Sequence, residues 1–368
     1  MVTGANGFIG KNLLQHLAER TDIEVVTFTR DDDPSNLKFL LDGVDFVFHL
    51  AGVNRPQDEN DFAKSNNVLT QYLCDAIEDT GRSIPIVFTS SIQSSQNNPY
   101  GNSKRAAENV LFSAHRASGL PVHIFRLPNV FGKWCMPNYN SVVATFCYNI
   151  ARGLPIHINN LSAILELVYV DDLIDRFIQL MDGAEAKVDS DGFEIILPKY
   201  TSTVGDLARQ IEIFQQTRST LMTERVGTGL IRALYSTYVT YLPVSAFSYP
   251  VSMHIDQRGV FVEILKTPDC GQFSYFTASP GITRGSHYHH SKTEKFLVVK
   301  GMARFKFRHI ITNETYEFVT SVEKAEIVET VPGWTHNITN IGDEEMIVML
   351  WANEVFDHQK PDTYAKAV

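Results

Sequence analysis

Thr3-Gly4-Ala5-Asn6-Gly7-Phe8-Ile9-Gly10 decides the fold of the first half of the chain. Glycines at this spacing allow a tight turn from a strand into a helix. They also let a pyrophosphate approach the backbone and rest on the helix N-terminus. Outward from this turn, Glu24 to Phe28, Phe46 to Leu50, Ile86 to Thr89 and His123 to Leu127 read as strands. Lys11 to Glu19 and Val68 to Glu78 read as helices between them. Strands alternating with helices predict an α/β domain with a doubly wound, Rossmann-type parallel sheet. The second strand ends in Thr27-Phe28-Thr29-Arg30, followed by Asp31-Asp32-Asp33. An acidic residue there would bond a ribose 2′-hydroxyl, whereas an arginine accepts a 2′-phosphate. Arg30 therefore favours NADP(H), the alternative being a solvated loop charge.

Thr89-Ser90-Ser91 stands at a strand end, and Tyr100-Gly101-Asn102-Ser103-Lys104 follows shortly after. A tyrosine and a lysine four apart share one helix face. An ammonium near a phenol lowers its pKa and helps it move a proton near neutral pH. Tyr-x-x-x-Lys also occurs on ordinary surface helices; here it follows a glycine turn and a serine pair. Together these segments resemble the extended short-chain dehydrogenase/reductases. Further matches are His49-Leu50-Ala51-Gly52, Asn67-Val68, Arg126-Leu127-Pro128-Asn129-Val130-Phe131-Gly132 and Tyr169-Val170-Asp171-Asp172. The resemblance implies cofactor contacts from Gly4, Asn6, Gly7, Phe8, Ile9, Gly10, Arg30, Leu50, Ala51, Gly52, Asn67, Tyr100 and Lys104. It also implies Tyr100 as acid, Lys104 on the cofactor ribose, and Ser91 or Ser90 orienting a substrate carbonyl. Three departures stand out. Few apolar residues precede Thr3-Gly4, which points to a missing start or a weakened sheet. Ser91 and Tyr100 are close in sequence, so the loop between them is compact. The arginine that commonly precedes the Val-Asp-Asp segment is replaced by Ile164-Leu165-Glu166, which puts diphosphate binding by such an arginine in doubt.

The 368 residues predict two domains. Lys and Arg number 32 against 42 Asp and Glu, a net charge of -10. That balance argues against nucleic-acid and anionic-membrane partners, which need a broad basic surface. Cys74, Cys135, Cys147 and Cys270 show no CxxC spacing and read as reduced thiols. No apolar run is long enough for a membrane span, and Met1-Val2-Thr3-Gly4 has no signal-peptide character. The expected compartment is the cytoplasm.

From about residue 245 short strands dominate: Gly259 to Ile264, Gln272 to Thr277, Lys295 to Val299, Ala303 to Arg308, Thr315 to Val319 and Met346 to Trp351. This predicts an all-β barrel or jelly roll. The stretch Tyr235 to Pro250, rich in Pro, Tyr and Ser, reads as the connection, dividing the chain into domains 1–243 and 244–368. His287 and His289 alternate onto one strand face, and Glu294 opens the next strand on the side of Phe296 and Val298. His336 follows in Gly333-Trp334-Thr335-His336, with Asn340 beyond. Three imidazoles and one carboxylate suit a divalent metal: zinc first, iron or manganese otherwise. By the same alternation Tyr288 and His290 are expected on the surface. These residues resemble a cupin. Gly281, His287, His289, Glu294 and Gly301 match the first cupin motif; in the second, Pro332 is displaced by one position, which leaves the turn geometry open. Arg284-Gly285-Ser286-His287 also resembles metal-free sugar epimerases, in which the histidine is a base rather than a ligand.

A reductase followed by a cupin resembles a family of capsular polysaccharide enzymes. The more specific matches are Phe131-Gly132-Lys133-Trp134-Cys135, Pro137-Asn138-Tyr139-Asn140-Ser141, Tyr235-Ser236-Thr237-Tyr238 and Phe296-Leu297-Val298-Val299. The resemblance implies a UDP-linked 4-keto amino sugar, UDP-2-acetamido-2,6-dideoxy-L-arabino-hex-4-ulose, as substrate. The cupin would epimerise C3. The reductase would then reduce C4 with NADPH to UDP-2-acetamido-2,6-dideoxy-L-talose, a precursor of UDP-N-acetyl-L-fucosamine. A homodimer is also expected. The alternative is a reductase carrying a non-catalytic sugar-binding or dimerising cupin.

Overall fold

The computed structural model describes residues 1–53, 63–256, 259–262, 265, 267, 271–354 and 359–368. Cys270 and the end of the strand expected through Ile264 lie outside the described residues. The chain forms two compact units: Met1–Trp134 with Leu165–Thr201, and Cys135–Ile164 with Ser202–Val368.

The first unit is built on a parallel sheet of β1 (Val2–Thr3), β2 (Thr27–Phe28), β3 (Val47–His49), β4 (Ile86–Ser91) and β5 (Val122–Leu127). The strand order is β2-β1-β3-β4-β5. Chain direction across the sheet reverses between β1 and β3. The Gly4 turn and Leu50-Ala51-Gly52 lie at the carboxyl ends of those two strands, where sheets of this class bind ligands. β1 is indeed short, and it limits its neighbour. β2 pairs only through Thr27 and Phe28, because Val2 and Thr3 are the partners available. The sheet is buried on both faces by residues such as Val47, Phe48, Ile86, Phe88 and Ile124, as a parallel sheet covered by helices requires. β6 (Asn129–Phe131) pairs in parallel with β7 (Ile164–Tyr169), and β8 (Tyr200–Thr203) leads out of this unit.

The second unit contains two antiparallel five-stranded sheets. Its strands are β9 (Ser248–Pro250), β10 (Met253–Asp256), β11 (Gly259–Val262), β12 (Gln272–Ala278), β13 (Thr283–Tyr288), β14 (Glu294–Lys300), β15 (Met302–His309), β16 (Thr315–Ser321), β17 (Glu326–Glu329), β18 (Trp334–Asn340), β19 (Met346–Ala352) and β20 (Tyr364–Ala365). One sheet runs β12-β19-β14-β17-β9 and the other β16-β15-β18-β13-β20, while β10 and β11 form a hairpin. Ala303, Phe305 and Phe307 are buried and alternate with more exposed neighbours, so period-two patterning builds this part of the double-sheet core.

Packing assigns one segment differently from its texture. Tyr235 to Thr240 is not a connection but the second half of the helix Gly229–Thr240. Pro250 ends β9, itself a sheet strand. That helix and Val204–Thr220 pack in the same unit as the barrel strands. The cause is a buried polar cluster. Glu329 Oε1 accepts from Lys295 Nζ at 2.8 Å and from Tyr235 Oη at 2.6 Å, and Glu329 Oε2 accepts from Arg218 Nη2 at 2.7 Å. Residues with a polar tip and an apolar body look like linker in composition, yet here they are buried because each tip has a partner.

Candidate active sites

In the first unit, Gly4 sits at φ 69°, and a Cβ there would lie 2.6 Å from Ala51 N. A Cβ on Gly10 would lie 2.3 Å from Gly4 O. Both glycines are therefore demanded by the close approach of turn, strand and helix. Gly7 caps the helix Phe8–Ala18 without a side-chain acceptor, so the first-turn N–H groups face outward for an anion. Asn6 and Gly7 are exposed, and Phe8 and Ile9 half-buried, beside that turn. Arg30 is exposed past the end of β2. The Asp32 carboxylate accepts from Thr29 N at 2.7 Å and Thr29 Oγ1 at 2.9 Å. It is thus committed to its own turn.

Gly52 leaves a cradle. A Cβ there would lie 2.9 Å from Lys104 Nζ and 3.0 Å from Asn66 Oδ1. Asn67 Oδ1 is buried and has no hydrogen-bond partner among the described residues. Buried polar atoms and a side-chain-free floor between an ammonium and an amide fit a polar ligand at this position. Behind the cradle a proton-ordered chain holds the loop. Thr70 Oγ1 donates to Asn66 O at 2.6 Å, so it accepts from His49 Nε2 at 2.9 Å. His49 Nδ1 then accepts from Thr3 Oγ1 at 2.8 Å, which in turn accepts from Ala51 N at 3.2 Å. Burial, reinforced by Lys104, pushes His49 down to about 3 and keeps it neutral.

Tyr100 and Lys104 lie in the helix Pro99–Ser118. Asn98 caps it through Gly101 N at 2.7 Å, and Pro99 opens its first turn. The compact loop expected between Ser91 and Tyr100 is a single 3-10 turn, Ile92–Ser95. A Cβ on Gly101 would lie 2.1 Å from Gln93 O, so only glycine lets the helix approach this turn. The two serines separate by partner. Ser90 Oγ donates to Glu108 Oε1, which also accepts from Arg126 Nε at 3.0 Å. The hydroxyl that bonds Tyr100 is that of Ser91. The electrostatics of Tyr100 differ from the sequence expectation. Burial raises its pKa, with Ser91 opposing, and the net direction is upward. Lys104 is 4% exposed and donates to Thr89 O at 2.8 Å. Burial lowers it to about 8 against the pull of Glu108. A phenol in this range is protonated at neutral pH and so is available as a proton donor, although burial by itself makes it the weaker acid.

In the second unit, His287, His289, Glu294 and His336 each place one ligand atom within 4.8 Å of the others. A bulge makes this possible. Gly285 pairs with Asn337, but His287, not Ser286, pairs with His336. Ser286, at φ 62°, is the inserted residue. In a regular ladder Ser286 would share the face of His336; the bulge substitutes the imidazole. The ring centroids of His287 and His336 are 4.8 Å apart. Glu294 Oε2 lies 3.1 Å from His289 Nε2 and 3.5 Å from His336 Nε2. Burial opposes charge on Glu294, yet His289 and His336 hold its carboxyl well below the usual range. Burial, then His336 and His289, pushes His287 down to about 3. Both ring nitrogens of His336 are buried and lack a well-formed hydrogen bond. Buried imidazole nitrogens converging with a carboxylate fit a divalent cation, and the ion would compensate them. The displaced Pro332 does not disturb the turn: Gly333, at φ 80°, donates to His289 O at 3.0 Å and ties the two motifs together.

Asn340 is not near these ligands in role. Its amide donates to Ala278 O at 2.9 Å and Glu344 O at 2.8 Å, closing a turn. Tyr288 and His290 are not on the surface; they are 3% and 4% exposed. β20 extends the same sheet beside β13, with Tyr364 opposite Tyr288 and its ring 5.0 Å from that of His290. Alternation names a face, but not which later side chains pack against it. Among the described residues, Cys74, Cys135 and Cys147 are free thiols, and no helix is long and apolar enough to cross a membrane.

Residues 1–195 match the NAD dependent epimerase/dehydratase family, and residues 254–364 match the polysaccharide biosynthesis C-terminal domain. The chain is 60% identical, over its full length and 98% of the relative, to UDP-2-acetamido-2,6-beta-L-arabino-hexul-4-ose reductase of Pseudomonas aeruginosa. The structure resembles that of the capsular polysaccharide assembling protein CapF from Staphylococcus aureus, with TM-score 0.68 and 41% identity over 100% of this chain and 99% of that one. UDP-glucuronic acid 4-epimerase from Bacillus cereus shares the fold at 21% identity and TM-score 0.51, covering 58% of this chain and 81% of its own. The chain belongs to the NAD dependent epimerase/dehydratase family, and within it to the CapF-like reductases that carry a C-terminal cupin.

Proposed function

We propose that the chain is a bifunctional nucleotide-sugar enzyme of capsule or O-antigen synthesis. The cupin, residues 244–368, epimerises C3 of UDP-2-acetamido-2,6-dideoxy-L-arabino-hex-4-ulose. The reductase, residues 1–243, then reduces C4 to the L-talose product. The observation that carries the double activity is the converging set His287, His289, Glu294 and His336, in a chain whose full-length relative is named a reductase.

The order of steps follows from the ketone. The C3 proton is acidic only while C4 is a carbonyl, because the resulting anion spreads onto that oxygen. Reduction at C4 ends this acidity, so epimerisation comes first. Zinc, the ion best suited to this donor set, supplies Lewis acidity when bound. His287, His289, Glu294 and His336 would hold it. NADPH supplies the hydride when bound. Tyr100, protonated at neutral pH, delivers the proton to the C4 oxygen, while the Ser91 hydroxyl orients that oxygen. Lys104 stands beside the Gly52 cradle, where a cofactor ribose would lie. The exposed Arg30, with Asp32 turned to Thr29, supports recognition of a 2′-phosphate. Free thiols in the described residues are in keeping with a cytoplasmic enzyme.

The test is isotope exchange. The 4-keto sugar is incubated with the protein in deuterated water without NADPH. Deuterium is expected at C3. Its absence there, in a protein that still oxidises NADPH with the epimerised ketone, would leave the cupin without its proposed catalytic role.

A further inference from the structure

Residues 361–365 lie far in sequence from the first cupin motif, yet they hold the loop that carries His289. Asp362 Oδ1 accepts from His290 N at 2.8 Å. Asp362 Oδ2 accepts from Ser291 N at 2.9 Å, Lys292 N at 2.8 Å and Ser291 Oγ at 3.0 Å. One carboxylate thus gathers three successive backbone N–H groups of the loop between β13 and β14. Lys292 reaches back, donating from Nζ to Pro361 O at 3.0 Å and Thr363 Oγ1 at 2.6 Å. The backbone carbonyl of Asp362 lies 2.6 Å from His289 Nδ1. Asp362 itself is held at φ 38°, in the left-handed region, where residues other than glycine are uncommon. Immediately after it, β20 pairs Tyr364 with Tyr288 and Ala365 with His287.

A carbonyl oxygen only accepts hydrogen bonds, so the proton shared with it belongs to His289 Nδ1. That leaves Nε2, the nitrogen 3.1 Å from Glu294 Oε2, as the atom turned into the ligand cluster. Ligand histidines are commonly oriented through their other nitrogen in this way, by a carboxylate or a carbonyl. Here one residue supplies both devices. Its carboxylate sets the backbone of the loop, and its carbonyl sets the tautomer of the ring.

We infer that Asp362 is a positioning residue of the metal centre, fixing the loop and the ring of His289 from a strand-flanking segment some seventy residues away. The inference rests on the metal-centre reading of the four-residue cluster. The experiment uses the full chain stripped of metal, then titrated with zinc against a chromogenic chelator. Cobalt(II) absorption serves as the spectroscopic readout of ligand geometry. Asp362→Ala is expected to weaken zinc binding about 10- to 100-fold and to alter the cobalt spectrum. Asp362→Asn tolerates the same backbone conformation but offers one acceptor oxygen, and should fall between; it stands in if the alanine variant fails to fold. Lys292→Met, which removes only the reciprocal clasp, should lose less than Asp362→Ala. Zinc affinity within twofold of the unaltered chain in both Asp362 variants, with unchanged cobalt spectra, would overturn the inference. An unaltered chain that takes up no zinc and no cobalt would instead overturn the metal-centre reading.

Discussion

Replacing Glu329 with Gln should uncouple the helices Val204–Thr220 and Gly229–Thr240 from the strands that carry the metal ligands. Glu329 is 1% exposed and is the shared acceptor for Lys295, Tyr235 and Arg218. Gln keeps the shape but turns an amide donor toward one of the cations. Lys295, also 1% exposed, would retain only the bond from its Nζ to Tyr249 Oη at 2.9 Å among its hydrogen bonds here. Breaking a buried ion pair by removing one partner costs about 3–5 kcal/mol. The carboxyl gives a similar figure. Burial raises its pKa, but Lys295 and Arg218 outweigh this and bring it from 4.5 to about 2, worth about 3 kcal/mol at neutral pH. The folded pKa is depressed, so this stability is present above the unfolded value and lost as pH falls through the folded one. Urea unfolding followed by tryptophan fluorescence should therefore show a gap between the two proteins at pH 7 that narrows by about 1 kcal/mol at pH 3.5. Adding Lys295→Met should recover part of the loss, since it removes the buried cation left without its carboxylate. Zinc affinity should fall too, because Lys295 follows Glu294 and Glu329 precedes Thr330, whose Oγ1 holds Glu294 N at 2.9 Å. A loss below about 1 kcal/mol at pH 7, or one that does not shrink on acidification, would refute the reasoning.

Tyr100→Phe should lower kcat for NADPH oxidation about 10²- to 10⁴-fold while leaving NADPH binding, read by cofactor fluorescence, within a few fold. Arg30→Ala should raise KM for NADPH about tenfold or more, as loss of a charge-assisted bond to phosphate predicts, with little change for NADH; equal effects on both would place Arg30 among solvated loop charges. Chelation of metal should abolish deuterium entry at C3 and spare reduction of the already epimerised ketone. Loss of both together would mean that the metal also serves the reductase or the fold.

Much of the candidate chemistry was legible because it is local. Gly4 to Gly10, Tyr100 with Lys104, and His287 with His289 and Glu294 are each defined by spacing within one turn, one helix face or one strand pair. What was not legible depended on what covers or partners a residue. Ser90 and Ser91 are equivalent in sequence, and Glu108 on the following helix separates them. Tyr288 and His290 alternate outward, yet both are buried, and the Tyr364 ring packs against each. Tyr235 has the composition of a linker and becomes core through Glu329.

The sequence by itself determined the α/β class of the first half, the all-β class of the second, and the residue types of both candidate sites. Periodicity and spacing encode which face a residue takes and which turn a backbone can make, and these need no distant partner. Only the tertiary structure decided that a bulge at Ser286 puts His287 opposite His336, that burial raises rather than lowers the pKa of the Tyr100 phenol, and that Asp362 holds His289. Each of these depends on a segment brought close by folding, and desolvation and hydrogen-bond pairing exist only once that neighbour has arrived.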